Sequence, residues 1–140
     1  MTPCHSCRVL TPSAIHQVSR PKLSGLPGRH HGVLIQFTDG TEILMDLALG
    51  QGLQYKSQAQ FACGHDLVIE ESVWDPAALS SAIVRLASIE ERLWLYDVVF
   101  ENCEPFARYV VSGRRSSRQV GNAAFAFAAV VGVCWASSAA

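Results

Sequence analysis

Two apolar runs meet across an Asp-Gly turn: His30-His31-Gly32-Val33-Leu34-Ile35-Gln36-Phe37 leads through Thr38-Asp39-Gly40 into Thr41-Glu42-Ile43-Leu44-Met45-Asp46-Leu47. Alternating and β-branched residues on both sides of such a turn predict an antiparallel hairpin. The hairpin brings His30 and His31, at the start of one strand, to the same end of the sheet as Asp46, near the end of the other. A histidine beside a carboxylate can be oriented and polarised by it. The side-chain period of a strand adds a condition. A strict two-residue turn at Asp39-Gly40 would set Asp46 opposite Val33 and turn it away from His30, whereas a three-residue loop or a bulge restores the shared face. The plainer alternative is that both histidines are exposed polar residues ahead of a strand.

A second stretch places a thiol at a structural boundary. Tyr96-Asp97-Val98-Val99-Phe100 reads as a short strand or extended segment, and Phe106, Tyr109 and Val110 then recur at helical spacing until Gly113. Pro105 is tolerated only in the first turn of a helix, which sets the start near Cys103 or Glu104, with Asn102 or Cys103 at the N-cap. A thiol there faces unpaired backbone N–H groups and the positive end of the helix dipole, both of which favour thiolate. Against this stands the inert buried cysteine, a common fate of a free thiol.

The remaining segments supply scaffold. Residues 11–28 are polar and broken by Pro12, Pro21, Pro27, Gly25 and Gly28, with one short strand expected at Ala14 to Val18. Residues 50–62, rich in Gln and Gly, read as a long loop over a site. Leu67 to Glu70 reads as a strand. Asp75-Pro76 marks a helix start, with Leu79, Ala82, Ile83 and Leu86 as its apolar face. Glu90-Glu91 continues a solvated face. His65 is a rival base with nothing around it that reads as a site. Cys4-His5-Ser6-Cys7 could join Cys63 and His65 at a metal only through a long-range coincidence, so no structural zinc and no cofactor is expected.

With 140 residues the chain is expected to form one domain, and its net charge of -1 gives no support to nucleic-acid binding. Five cysteines without a framework spacing, and no opening signal peptide, point to a reducing compartment. Hydrophobic residues make up 49% and charged residues 16%, more apolar content than a core this small uses. The surplus gathers in Val120 to Ala136, behind Arg114, Arg115 and Arg118. That tail is offered as a membrane anchor with the domain on the cytoplasmic side, its rival being a last core helix.

Three blocks, His30-His31-Gly32-Val33 before the Asp-Gly hairpin, Tyr96 to Arg108 around Asn102-Cys103-Glu104, and Ser116-Ser117-Arg118-Gln119-Val120, give the chain a resemblance to the lecithin:retinol acyltransferase-like proteins, a branch of the NlpC/P60 cysteine-hydrolase superfamily. The resemblance runs from about His30 to Val120, and Asn-Cys-Glu is its specific part. It implies an α+β fold of permuted papain type, an antiparallel sheet packed with helices, and a nucleophile at a helix N-terminus. It also implies acyl transfer from phospholipids through an acyl-enzyme thioester. Cys103 matches the nucleophile and His30 the base. The family has a histidine directly after Cys-Glu, where this chain has Pro105, and a second histidine on the next strand. Equal lengthening of both hairpin arms brings Asp46 to the position of that second histidine.

The resulting expectation is a catalytic domain over residues 1–118 and an apolar tail over 119–140. Its activity would be that of a lipid acyl hydrolase or acyltransferase of phospholipase A type, using Cys103, His30 and Asp46 on a phospholipid or other acyl ester at a membrane surface. The alternatives are a cysteine amidase or peptidase with the same trio, and a membrane-docked interaction module whose site has decayed.

Overall fold

The computed structural model describes residues 10–48, 52–91 and 103–114. The Cys4–Cys7 motif, the Tyr96–Phe100 segment and the Val120–Ala136 tail lie outside them. Eight elements follow in order: β1 (Pro12–Pro21), β2 (Arg29–Phe37), β3 (Glu42–Ala48), β4 (Gly52–Lys56), α1 (Gln58–Ala62), β5 (Val68–Val73), α2 (Pro76–Glu91) and α3 (Cys103–Ser112). The fold is α+β. Its five strands form one antiparallel sheet in the order β4-β3-β2-β1-β5. Among the described residues no helix is long and apolar enough to cross a membrane.

The central strands are buried on both faces, so β1 and β2 are enclosed over consecutive residues rather than every second one. On one face Ile15, Val33, Ile35, Met45 and Leu47 pack against Leu79, Ala82, Leu86 and Ile89 of α2 and Phe106, Val110 and Val111 of α3. On the other, Val18, Leu34 and Leu44 receive Phe61 from α1. His16 is buried but satisfied: Nε2 meets the Gln36 side-chain oxygen at 2.9 Å and Nδ1 the Ser72 hydroxyl at 2.7 Å. A bulge between Gln17 and Val18 leaves Glu70 as the extra residue of β5, and its carboxylate accepts from the Ser19 hydroxyl.

The hairpin turns through three residues. Gln36 pairs with Glu42, Phe37 N–H donates to the Thr41 carbonyl at 2.9 Å, and Gly40 N–H returns to the Phe37 carbonyl at 3.0 Å. Gly40, at φ 86°, takes the left-handed conformation that closes such a loop, and the Asp39 carboxylate accepts from Thr41 N–H at 2.9 Å. Asp46 is therefore paired with Gly32 and shares a face with His30.

Two expectations are corrected. Of the expected loop over 50–62, residues 52–62 are regular: Gly52–Lys56 pairs along β3, and Ser57 opens α1 with a capping box to Gln60 that ends by burying Phe61. In α2, Ile83 is 39% exposed and Ile89 takes its place, because the buried row runs 79-82-86-89. Asp75 caps α2 as its position predicts, accepting from Ala78 N–H at 3.1 Å. Helix α3 ends at Gly113, φ 76°, whose N–H reaches the Tyr109 carbonyl at 2.8 Å. The Arg85 guanidinium covers the carbonyls of Val110 and Val111 at 2.9 and 3.0 Å, tying α2 to the negative end of α3.

Candidate active site

The ladder between β2 and β3 stops at Gly32 and Asp46, although β2 begins at Arg29 and β3 continues to Ala48. Beyond that pair the backbone N–H of β2 turns to the first residue of α3 rather than into the ladder. Cys103, the first residue of that helix, is 5% exposed, and its Sγ accepts the His31 backbone N–H at 3.1 Å. The Arg29 carbonyl lies 4.0 Å from the same sulfur.

His30 stands on the α1 face of the sheet. Its Nε2 lies 2.8 Å from Asp46 Oδ2, and its side chain also hydrogen-bonds Cys103. The ring stacks on Phe61, centroids 5.3 Å apart at 29°, and the Arg20 guanidinium lies 5.1 Å over the Phe61 ring. Gly32 makes room for this stack. A Cβ there would stand 3.0 Å from Leu44 Cδ2 and 3.1 Å from both the Met45 carbonyl and Phe61 Cε2.

Burial alone would push the His30 imidazole down. Hydrogen bonds to Asp46 and Cys103, with the attraction of both charges, outweigh it and hold His30 up at about 9. Asp46 is fully buried, which by itself would raise its carboxyl. The bonds from His30 and Lys56, with the lysine charge, keep it below the usual carboxylate value instead. Lys56 Nζ reaches Asp46 Oδ2 at 2.8 Å, the same oxygen that His30 uses.

The two adjacent histidines part company here. His31 points to the opposite face and is 5% exposed, and its Nδ1 meets Gln17 Nε2 at 3.1 Å. An amide NH₂ only donates, so Nδ1 accepts and the ring proton sits on Nε2. Burial pushes His31 down, with Arg29 and His30 adding to the effect and Glu104 and Glu70 opposing it. What His31 gives Cys103 is its backbone N–H. His65 stands in the exposed turn after α1, beside the exposed Cys63. Among the described residues no three His, Cys, Asp or Glu side chains gather as metal ligands.

A cleft of about 190 Å³ opens among side chains next in sequence to His30 and Cys103, lined by Gln17, Arg29, His31, Glu70, Glu104 and Arg108. Its charges are matched: Arg108 Nη2 donates to Glu104 Oε1 at 3.1 Å, and Arg29 Nε lies 3.8 Å from Glu70 Oε1.

The structure thus gathers Cys103, His30 and Asp46. The sequence reading missed Lys56, Phe61 and Gly32. Lys56 could have been found from an edge strand after Gly52, since pairing continued from Asp46 and Gln54 puts residue 56 diagonal to the carboxylate. Comparison of the chain with protein-family models, curated proteins and solved structures finds no match to any of the three.

Proposed function

We propose that this chain is a thiol-dependent acyl hydrolase or acyltransferase that works through a thioester on Cys103. The observation that supports this best is the His30 imidazole, hydrogen-bonded to Cys103 and held 2.8 Å from a buried Asp46. That is the order of groups acyl transfer to a thiol requires. Cys103 and His30 react with their shared proton on His30, and the sulfur attacks the carbonyl carbon of an ester. The tetrahedral oxyanion collapses with cleavage of the C–O bond, and His30 returns the proton to the departing alcohol. Water or an amine, deprotonated in turn by His30, then attacks the thioester and releases the thiol. The Cys103 backbone N–H, at the start of α3, is the donor offered to the oxyanion.

The lipid part of the proposal rests on the resemblance to lecithin:retinol acyltransferase-like proteins. It makes phospholipid the acyl donor, in a phospholipase A-type reaction at the cytoplasmic face of a membrane, with residues 119–140 as anchor. A permuted papain-type arrangement belongs to the same proposal. The charged cleft lined by Arg29, His31 and Glu104, next in sequence to His30 and Cys103, favours a second reading, a cysteine amidase or peptidase acting on a polar substrate.

Incubation with phospholipid vesicles and, separately, with peptide amides tests both. Released fatty acid with an acyl adduct on Cys103, absent in Cys103→Ser, is the expected result. Amide cleavage alone transfers the site to the second reading, and neither product nor adduct with either substrate refutes acyl transfer.

A further inference from the structure

We propose that Lys56 is a positioning residue of this site, fixing the Asp46 carboxylate on His30. The inference rests on the acyl-transfer reading above for its effect on turnover, but not for the geometry.

Asp46 lies on β3 between two strands that each send it one donor. It pairs with Gly32 on β2 and Gln54 on β4. His30 lies two residues before Gly32, and Lys56 two residues after Gln54. Lys56 is paired with Leu44, on one side of Asp46 along β3, whereas His30 lies beyond the last β2–β3 pair, on the other side. The imidazole and the ammonium therefore reach Asp46 along opposite diagonals of one sheet face, the separation at which long side chains still meet.

Both end on one oxygen. Oδ2 takes His30 Nε2 and Lys56 Nζ at 2.8 Å each, while Oδ1, equally buried, has no hydrogen-bond partner among the described residues. A carboxylate bonded only to His30 could turn about Cβ–Cγ and exchange its oxygens. Two donors converging on Oδ2 block that rotation, because the turn would break both charge-assisted bonds. The bare Oδ1 is the cost of this arrangement. Lys56 itself is only 26% exposed and covers the carboxylate from the β4 side.

The titratable groups acting on Asp46 are His30 from β2 and Lys56 from β4. On the far side of His30 stands Cys103 of α3, while α1 contributes the Phe61 ring, with Arg20 of β1 over it. Loss of the ammonium leaves Asp46 with one cationic partner. Its carboxyl then protonates at higher pH, and His30 loses its anchor from the acid side.

The test compares Lys56→Met, which keeps the stem and removes the charge, with Lys56→Gln and Lys56→Arg in the full chain. NMR titration of the His30 ring, thermal midpoints and pH profiles of ester turnover are recorded for each. In Lys56→Met and Lys56→Gln the acid limb should move to higher pH and kcat fall between about tenfold and a hundredfold with KM unchanged, as expected for lost orientation. Lys56→Arg should restore most of both. An acid limb and a His30 titration that stay at wild-type values in both neutral variants, with the midpoint retained, would overturn the proposal. So would a loss that Arg does not rescue. The NMR titration needs no substrate: a wild-type chain without turnover sinks the acyl-transfer reading alone, and a shifted titration in the neutral variants still supports the clamp.

Discussion

Replacing Asp46 by Asn keeps the size of the side chain and removes the charge that holds His30 up. His30 stands at about 9 instead of its ordinary 6.5. At about pH 8 a group at 9 is roughly nine-tenths imidazolium, whereas one at 6.5 is only about 3% so. The Cys103 bond also raises His30 and burial lowers it, so the fall in the competent fraction approaches, in scale, thirtyfold. Asp46→Asn should therefore bring the alkaline limb of kcat/KM down from about pH 9 toward the ordinary histidine range. The rate at about pH 8 should drop roughly thirtyfold, with a smaller loss near pH 6. Stopped-flow turnover of a soluble thioester across this range, beside an NMR titration of the His30 ring, measures both. A His30 titration still centred near 9 in Asp46→Asn would refute the assignment of Asp46 as the group that holds the imidazole.

Cys103→Ser should abolish turnover while leaving the thermal midpoint near wild type. Peptide mapping after incubation with an acyl ester should find the adduct on Cys103 and none on the exposed Cys63. His30→Ala should lower kcat by at least about a hundredfold and His31→Ala far less, since the contribution of His31 to the sulfur is a backbone N–H that survives the substitution. Gly32→Ala sets a methyl within 3.1 Å of Phe61 and should cost about 1–3 kcal/mol in denaturant melts, with reduced kcat as the stack under His30 shifts. His30, raised from 6.5 to about 9, should contribute about 3 kcal/mol of stability that is complete below about pH 6.5 and lost as pH rises through 9. Asp46, held low, contributes stability present above the ordinary carboxylate value and lost on acidification. Urea melts at several pH values check both signs.

What could be read in the sequence was whatever had a strong local cause. The Asp-Gly turn, the Asp75-Pro76 start of α2 and the Pro105-to-Gly113 limits of α3 each rest on a backbone preference of one or two residues, and each is where the chain reading puts it. Strand β4 was hidden because it is five residues on the sheet edge, where Gln54 and Lys56 stay polar and only Leu53 and Tyr55 hint at strand. Helix α1 is one turn and a half, too short to display a 3.6-residue period, though its Ser57 and Gln60 carried the capping-box spacing. Lys56 and Phe61, both on those two elements, were lost with them.

The choice between His30 and His31 was a matter of parity, and parity was set by a single residue in the turn. A two-residue turn would have faced Asp46 toward the α3 side, opposite Val33, as an unpaired buried charge. The third loop residue moves the carboxylate to the other face, where His30 and Lys56 can neutralise it. Yet Cys103 belongs to a helix packed on the opposite face. The trio meets where the β2–β3 ladder ends at Gly32 and Asp46, and there the His31 backbone N–H reaches Cys103 in the first turn of α3. Loop length, the early end of the ladder and a glycine that admits Phe61 are thus one set of conditions. Lengthening the turn by one further residue would reverse the face of Asp46 and should remove both the elevated His30 titration and the bond to Lys56, even if the hairpin still formed.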